Sequence, residues 1–210
     1  MAKRVITTIL LMSLIVGTIG YINWTSPDLY SGVLVVKTDR GQGSCFVVAL
    51  KDGWWYAITA AHVVETETAF YMRPDAEPFL IIDKEEYKAE IVKIDLEDDV
   101  ALIRFLSPEN YKIYKFAQAQ IGEQCVALGW SRGAFLRYPG SVVSLNFNDF
   151  IVANGGVVPG CSGGPLLNED DEVIGITVAI ALYRGWAFDN TALYVPSRYA
   201  RGLIVAVLGE

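Results

Sequence analysis

From Gly32 onward, short apolar runs alternate with clusters of Gly, Asp, Asn and Pro. Such runs, rich in Val, Ile, Phe, Tyr and Trp, read as β-strands. The first group is Val33–Lys37, Cys45–Leu50, Trp54–Thr59, Ala69–Met72, Phe79–Ile82, Ala89–Ile94 and Val100–Phe105. A looser connector, Ser107–Gln120, precedes a second group: Cys125–Leu128, Ser141–Phe147, Phe150–Val152, Pro165–Leu167, Val173–Ile180 and Ala192–Val195. Many short strands with little helix predict an all-β chain closed into barrels or a sandwich. The period changes only at the end. Ala200, Leu203, Ile204, Val207 and Leu208 recur at i, i+3, i+4, i+7 and i+8, which predicts an amphipathic helix over 196–208 with proline in its first turn.

A different pattern opens the chain. Val5 to Ile22 carries no charged side chain and follows Lys3 and Arg4. About 18 helical residues span roughly 27 Å, enough for a hydrocarbon core. Residues 1–23 therefore read as a membrane anchor, with a cleaved signal peptide as the alternative. The small-residue cleavage candidate Thr18-Ile19-Gly20 is poor, which favours the anchor. Lys3 and Arg4 set the amino terminus inside. The expectation is a single-pass membrane protein with an extracytoplasmic domain, or a secreted or periplasmic one after cleavage. Residues 24–31, in a polar stretch with Ser26, Pro27 and Asp28, read as a linker.

That apolar segment helps explain a mean hydropathy of +0.33. A net charge of −7 argues against a nucleic-acid partner, which calls for a basic patch. Three cysteines, Cys45, Cys125 and Cys161, are too few for a disulfide framework. No metal or organic cofactor is implied.

Three strings carry candidate chemistry. The single histidine, His62, lies in Ile58-Thr59-Ala60-Ala61-His62-Val63-Val64. Asp98-Asp99-Val100-Ala101-Leu102-Ile103 places an acid at the head of an apolar strand. Pro159-Gly160-Cys161-Ser162-Gly163-Gly164-Pro165-Leu166 surrounds a serine with glycines. A serine hydroxyl is a weak nucleophile and needs a base and an oxyanion cradle. His62 suits the base, and a carboxylate would hold its tautomer. Singly, each string has a plainer reading: a surface or core histidine, a solvated acidic loop, a turn. Their order and joint occurrence favour catalysis.

These strings resemble the trypsin-like serine proteases of clan PA, above all the bacterial Deg/HtrA-type branch. The resemblance covers about Gly32 to Leu208. It implies two six-stranded antiparallel β-barrels, about 32–106 and 121–195, with a C-terminal helix over 196–208. It assigns His62, Asp99 and Ser162 as the triad, with backbone N–H groups of Gly160 and Ser162 as the oxyanion hole. Asp99 is preferred to Asp98 because the motif sets the acid directly before Val-Ala-Leu, and Asp98 is expected to be exposed. Gly156, Val157, Val178, Ala179, Ile180 and Ala192 would bound the substrate site. With no acid at its base, that pocket should favour small or medium aliphatic side chains.

The chain departs from the family pattern in its cysteines. Cys125 sits where the chymotrypsin family often has a disulfide cysteine, but the expected partner position holds Asn168. Cys161, directly before Ser162, reads as a small packed thiol or a redox handle. Cys45 replaces a glycine common in Deg-type sequences. The PDZ domains of many Deg-type proteases are not expected here. The function implied is a serine endopeptidase acting on protein or peptide substrates, with a catalytically silent or latent binding module as the alternative. An esterase of the alpha/beta-hydrolase type would order its triad differently. The sequence leaves the oligomeric state open.

Overall fold

Neighbouring apolar runs pair antiparallel and close into two barrels. The computed structural model describes residues 30–38, 41–65, 67–68, 71–72, 78–82, 85–183 and 186–209. The first half contains β1 (Val33–Thr38), β2 (Gly41–Lys51), β3 (Trp54–Thr59), β4 (Glu67–Thr68), β5 (Tyr71–Met72), β6 (Phe79–Ile82), β7 (Glu85–Asp95) and β8 (Val100–Phe105). The second contains β9 (Gln124–Ser131), β10 (Ala134–Phe147), β11 (Phe150–Asn154), β12 (Pro165–Leu167), β13 (Val173–Tyr183) and β14 (Trp186–Pro196). One barrel runs β1-β2-β3-β8-β7-β6 and the other β10-β11-β14-β13-β12-β9. Closure removes the open edges that invite aggregation. Among the described residues, two helices complete the fold, α1 (Ala61–Val64) and α2 (Ser197–Leu208).

Side chains alternate across a strand, so β1, β2, β3 and β8 of the first barrel each serve two cores. Leu34, Val36, Cys45, Val47, Trp55, Ala57, Ala101, Ile103 and Phe105 form one apolar cluster. Their neighbours Val33, Phe46, Ile58, Val100 and Leu102 join a second, with Leu128, Leu167, Ile176, Leu203 and Ile204 from the other half. That shared cluster packs α2 against both barrels. Cys125, Ala127, Ile151, Ala153, Leu166, Ile174 and Tyr194 belong to a third.

The outcome differs from the sequence expectation at particular elements. The expected strand Ala69–Met72 corresponds to the β4–β5 pair, which stands outside both barrels; residues 69–70 lie outside the described residues. β10 starts at Ala134, not Ser141: its first residues pair with β9 alone, and Pro139, which has no N–H to give, lies past Asn154, where β11 has already ended. Pro196 ends β14 and forms the N-cap of α2, so the helix starts at Ser197. The connector is tied at both sides: Tyr114 N–H donates to Val47 O at 3.0 Å, and Ala117 N–H to Val173 O at 3.0 Å. The expected anchor and most of the linker lie outside the described residues. Among the described residues, no helix is long and apolar enough to cross a membrane.

Core position should dominate the mutational response. Leu102 is fully buried, whereas Leu96 is 58% exposed. Leu102→Ala is expected to destabilise the fold by about 2–5 kcal/mol, and Leu96→Ala by under about 0.5 kcal/mol. Urea denaturation of both variants checks the contrast.

Candidate functional site

β3 hands the chain to α1, and His62 is the second residue of that single turn. No side chain caps the turn at Ala60. Asp99 serves its donors instead. Ala61 N–H donates to the Asp99 carbonyl at 3.2 Å, and His62 N–H to Asp99 Oδ1 at 2.9 Å. The other carboxylate oxygen, Oδ2, lies 2.8 Å from His62 Nδ1. One residue thus satisfies two orphan helix donors, Ala61 N–H through its carbonyl and His62 N–H through its carboxylate, and the same carboxylate orients the ring. Pairing of Thr59 with Ala101 brings the two loops together. Asp99 itself stands in a turn at φ 51°, so the turn, not strand alternation, aims its carboxylate. Asp98 is part-buried, contrary to the expected exposure. Burial and the charges of Asp95, Glu97 and Asp149 raise its pKa, against Arg198.

The His62 pKa is raised above 6.5, chiefly by the hydrogen bond to Asp99. Burial opposes this, while the charges of Asp99 and Glu65 add to it. The ring remains 44% exposed.

Ser162 lies in the turn before β12. Ser44, fully buried on β2, holds that turn from the first barrel. Its N–H donates to Ser162 O at 2.7 Å, and its Oγ donates to Gly160 O at 2.9 Å. Gly43 sits between the two halves of the site. A Cβ there would lie 2.6 Å from Val63 Cγ2 and 2.9 Å from Ser162 O. Gly163, at φ +83°, has no room for a side chain against Ser44 O and Thr59 Oγ1. Gly163 N–H donates to Thr177 O at 2.7 Å, which binds the turn to β13. The Ser162 hydroxyl donates to Val178 O at 3.4 Å, a long bond.

The expected substrate-site residues gather around this turn. Gly156 N–H donates to Asn190 O at 3.2 Å. Val157 and Ala192 are buried in one cluster with Cys161. Val178 is the unpaired residue of a bulge between Thr177↔Tyr194 and Ala179↔Leu193, and Ile180 pairs with Ala192. All three cysteines are free and buried. Burial raises each thiol, Cys125 to about 12. Sequence reasoning missed Ser44 and Ser131 as supports of the nucleophile turn, because a single hydroxyl leaves no periodic or spacing signal. Among the described residues, no cluster of His, Cys, Asp and Glu could hold a metal ion.

Comparison places this architecture among known proteins. The trypsin-like peptidase domain profile matches residues 43–176. The "Probable periplasmic serine endoprotease DegP-like" of Chlamydia muridarum is 30% identical over 186 residues, 83% of this chain and 35% of that protein. The periplasmic serine endoprotease DegP of Escherichia coli K12 is 29% identical over 137 residues, 60% of this chain and 27% of that protein. The chain therefore spans about a third of the length of the curated relatives it matches. The crystal structure of a serine endoprotease from Yersinia pestis shares the fold, with a TM-score of 0.71 at 18% identity, over 88% of this chain and 65% of that one.

The geometry sets a titration. Because the folded pKa of His62 is the higher one, its pairing with Asp99 stabilises the fold fully below the unfolded value near pH 6.5. The contribution fades as pH rises through the raised folded value. In Asp99→Asn the imidazole is expected to titrate at lower pH than in the wild type. NMR of the only histidine reads this directly, and an unmoved titration would show that Asp99 does not hold the ring.

Proposed function

Because the chain belongs to the trypsin-like peptidase domain family, we propose that it is a serine endopeptidase of the DegP/HtrA type, with Ser162 as nucleophile, His62 as general base and Asp99 as the residue that orients it. The observation that carries this reading is the Asp99 carboxylate, which binds both the backbone N–H and the Nδ1 of His62. That bond fixes the tautomer with the proton on Nδ1 and leaves Nε2 free to accept one. Ser162 Oγ attacks the peptide carbonyl as His62 takes its proton. The imidazolium, stabilised by Asp99, returns the proton to the leaving amine. Water then hydrolyses the acyl-enzyme by the same base. Gly160 and Ser162 N–H groups stabilise the oxyanion. Among the described residues neither has an acceptor, which supports that role. No metal or cofactor takes part in these steps.

Substrate enters as an extended strand along the backbone of Val178, Ala179 and Ile180. Gly156, Val157 and Ala192 bound the first pocket, where apolar walls favour a small or medium aliphatic residue. Discrimination there is worth about 1–3 kcal/mol per methylene. The matched relatives are named as periplasmic proteases, and we extend that site of action to this chain, with residues 1–23 as tether. Membrane retention of the full chain in alkaline carbonate, lost when residues 1–23 are removed, checks the tether.

A latent resting state is the second reading, favoured by the Ser162 hydroxyl bonding Val178 O instead of His62. Substrate-free sites commonly hold such looser geometry and tighten on binding. A fluorophosphonate probe separates the two. The active reading expects the wild type to be labelled and Ser162→Ala to stay unlabelled; a folded wild type that resists the probe supports latency. Among active enzymes, Asp99→Asn should lower kcat about 10⁴-fold. Asp98→Asn should stay near wild type, and loss of activity only in Asp98→Asn would overturn the choice of acid.

A further inference from the structure

The carbonyls of the nucleophile turn are individually held. Pro159 O accepts from Ser131 Oγ at 2.7 Å, and Gly160 O from Ser44 Oγ at 2.9 Å. Cys161 O accepts from Gly164 N–H at 2.9 Å, and Ser162 O from Ser44 N–H at 2.7 Å. Every peptide here is trans, so each N–H points opposite to the carbonyl of its own peptide. The direction of Gly160 N–H is therefore set by what holds Pro159 O. That holder is one hydroxyl, on the last residue of β9.

Its position is well defined. Ser131 is 8% exposed and pairs with Ala134 across a two-residue turn whose Arg132 and Gly133 both have positive φ. Gly160 stands at φ +103° against this strand end, where a Cβ would lie 2.7 Å from Trp130 O. A glycine peptide in this region reverses at little steric cost, so backbone preference alone does not choose its direction.

We propose that Ser131 is a positioning residue: its hydroxyl locks the Pro159–Gly160 peptide with the Gly160 N–H turned away from β9 and available to an oxyanion. This rests on the assignment of Gly160 and Ser162 N–H as the oxyanion hole. It makes the hole a preformed feature, held by the β9–β10 hairpin before substrate arrives.

Ser131→Thr and Ser131→Val test the lock, because the two side chains share a shape and differ in the donor. Removing an oxyanion donor outright lowers kcat about 10²–10³-fold, so freeing this one is expected to lower kcat by about 10–100-fold with KM nearly unchanged. Val, and Ser131→Ala beside it, should show that loss, and Thr should retain activity. Crystal structures of the same variants read the peptide independently of activity, with Pro159 O turned from its present direction in Val and kept in Thr. Equal kcat in Thr and Val with Pro159 O unmoved overturns the proposal. If the wild type is inert to peptide and fluorophosphonate but Pro159 O still turns in Val, the catalytic reading fails and the lock stands. If it is inert and Pro159 O does not turn, both fall.

Discussion

Ser44 is the joint on which the site depends. It lies in a strand of the first barrel, yet its N–H and hydroxyl bind two carbonyls of the nucleophile turn in the second. Its Oγ also accepts from Trp130 N–H at 2.8 Å, and its carbonyl from Thr59 Oγ1 at 2.8 Å. Apolar packing between the barrels supplies most of the driving force, but it is non-directional and tolerates small slides. Buried hydrogen bonds do not, since breaking one strands a desolvated partner at about 1–3 kcal/mol. Ser44 therefore converts loose barrel contact into fixed register.

The histidine side of the cleft is built on a similar economy. α1 is a single turn, too short to hold itself without help. Asp99 supplies that help with the same carboxylate that orients the ring. Structure and chemistry thus share one residue, and the proton affinity of His62 is coupled to the integrity of the turn that carries it.

Much of this was legible in the chain. The strands of the first barrel announce themselves because both faces are buried, so runs such as Val33–Val36 and Val100–Ile103 are apolar throughout. His62, Asp99 and Ser162 stand out because their residue types are rare in such runs and sit at strand ends. The first half of β10 was not legible: Arg137, Pro139 and Gly140 break the pattern, and only its pairing with β9 makes it a strand. Ser44 and Ser131 were visible only as serines. Their partners are 116 and 28 residues away, and packing of distant strands selects them.

The sealed thiols have a practical consequence. Cys45, Cys125 and Cys161 are spread over the cores of both halves, and burial keeps each protonated and shielded. The folded chain is held together without a disulfide, so a reductant has no cross-link in it to cut. It also carries its own stopwatch. An alkylating reagent finds no target until a barrel opens, so the rate at which each sulfur is modified times the breathing of the half that encloses it.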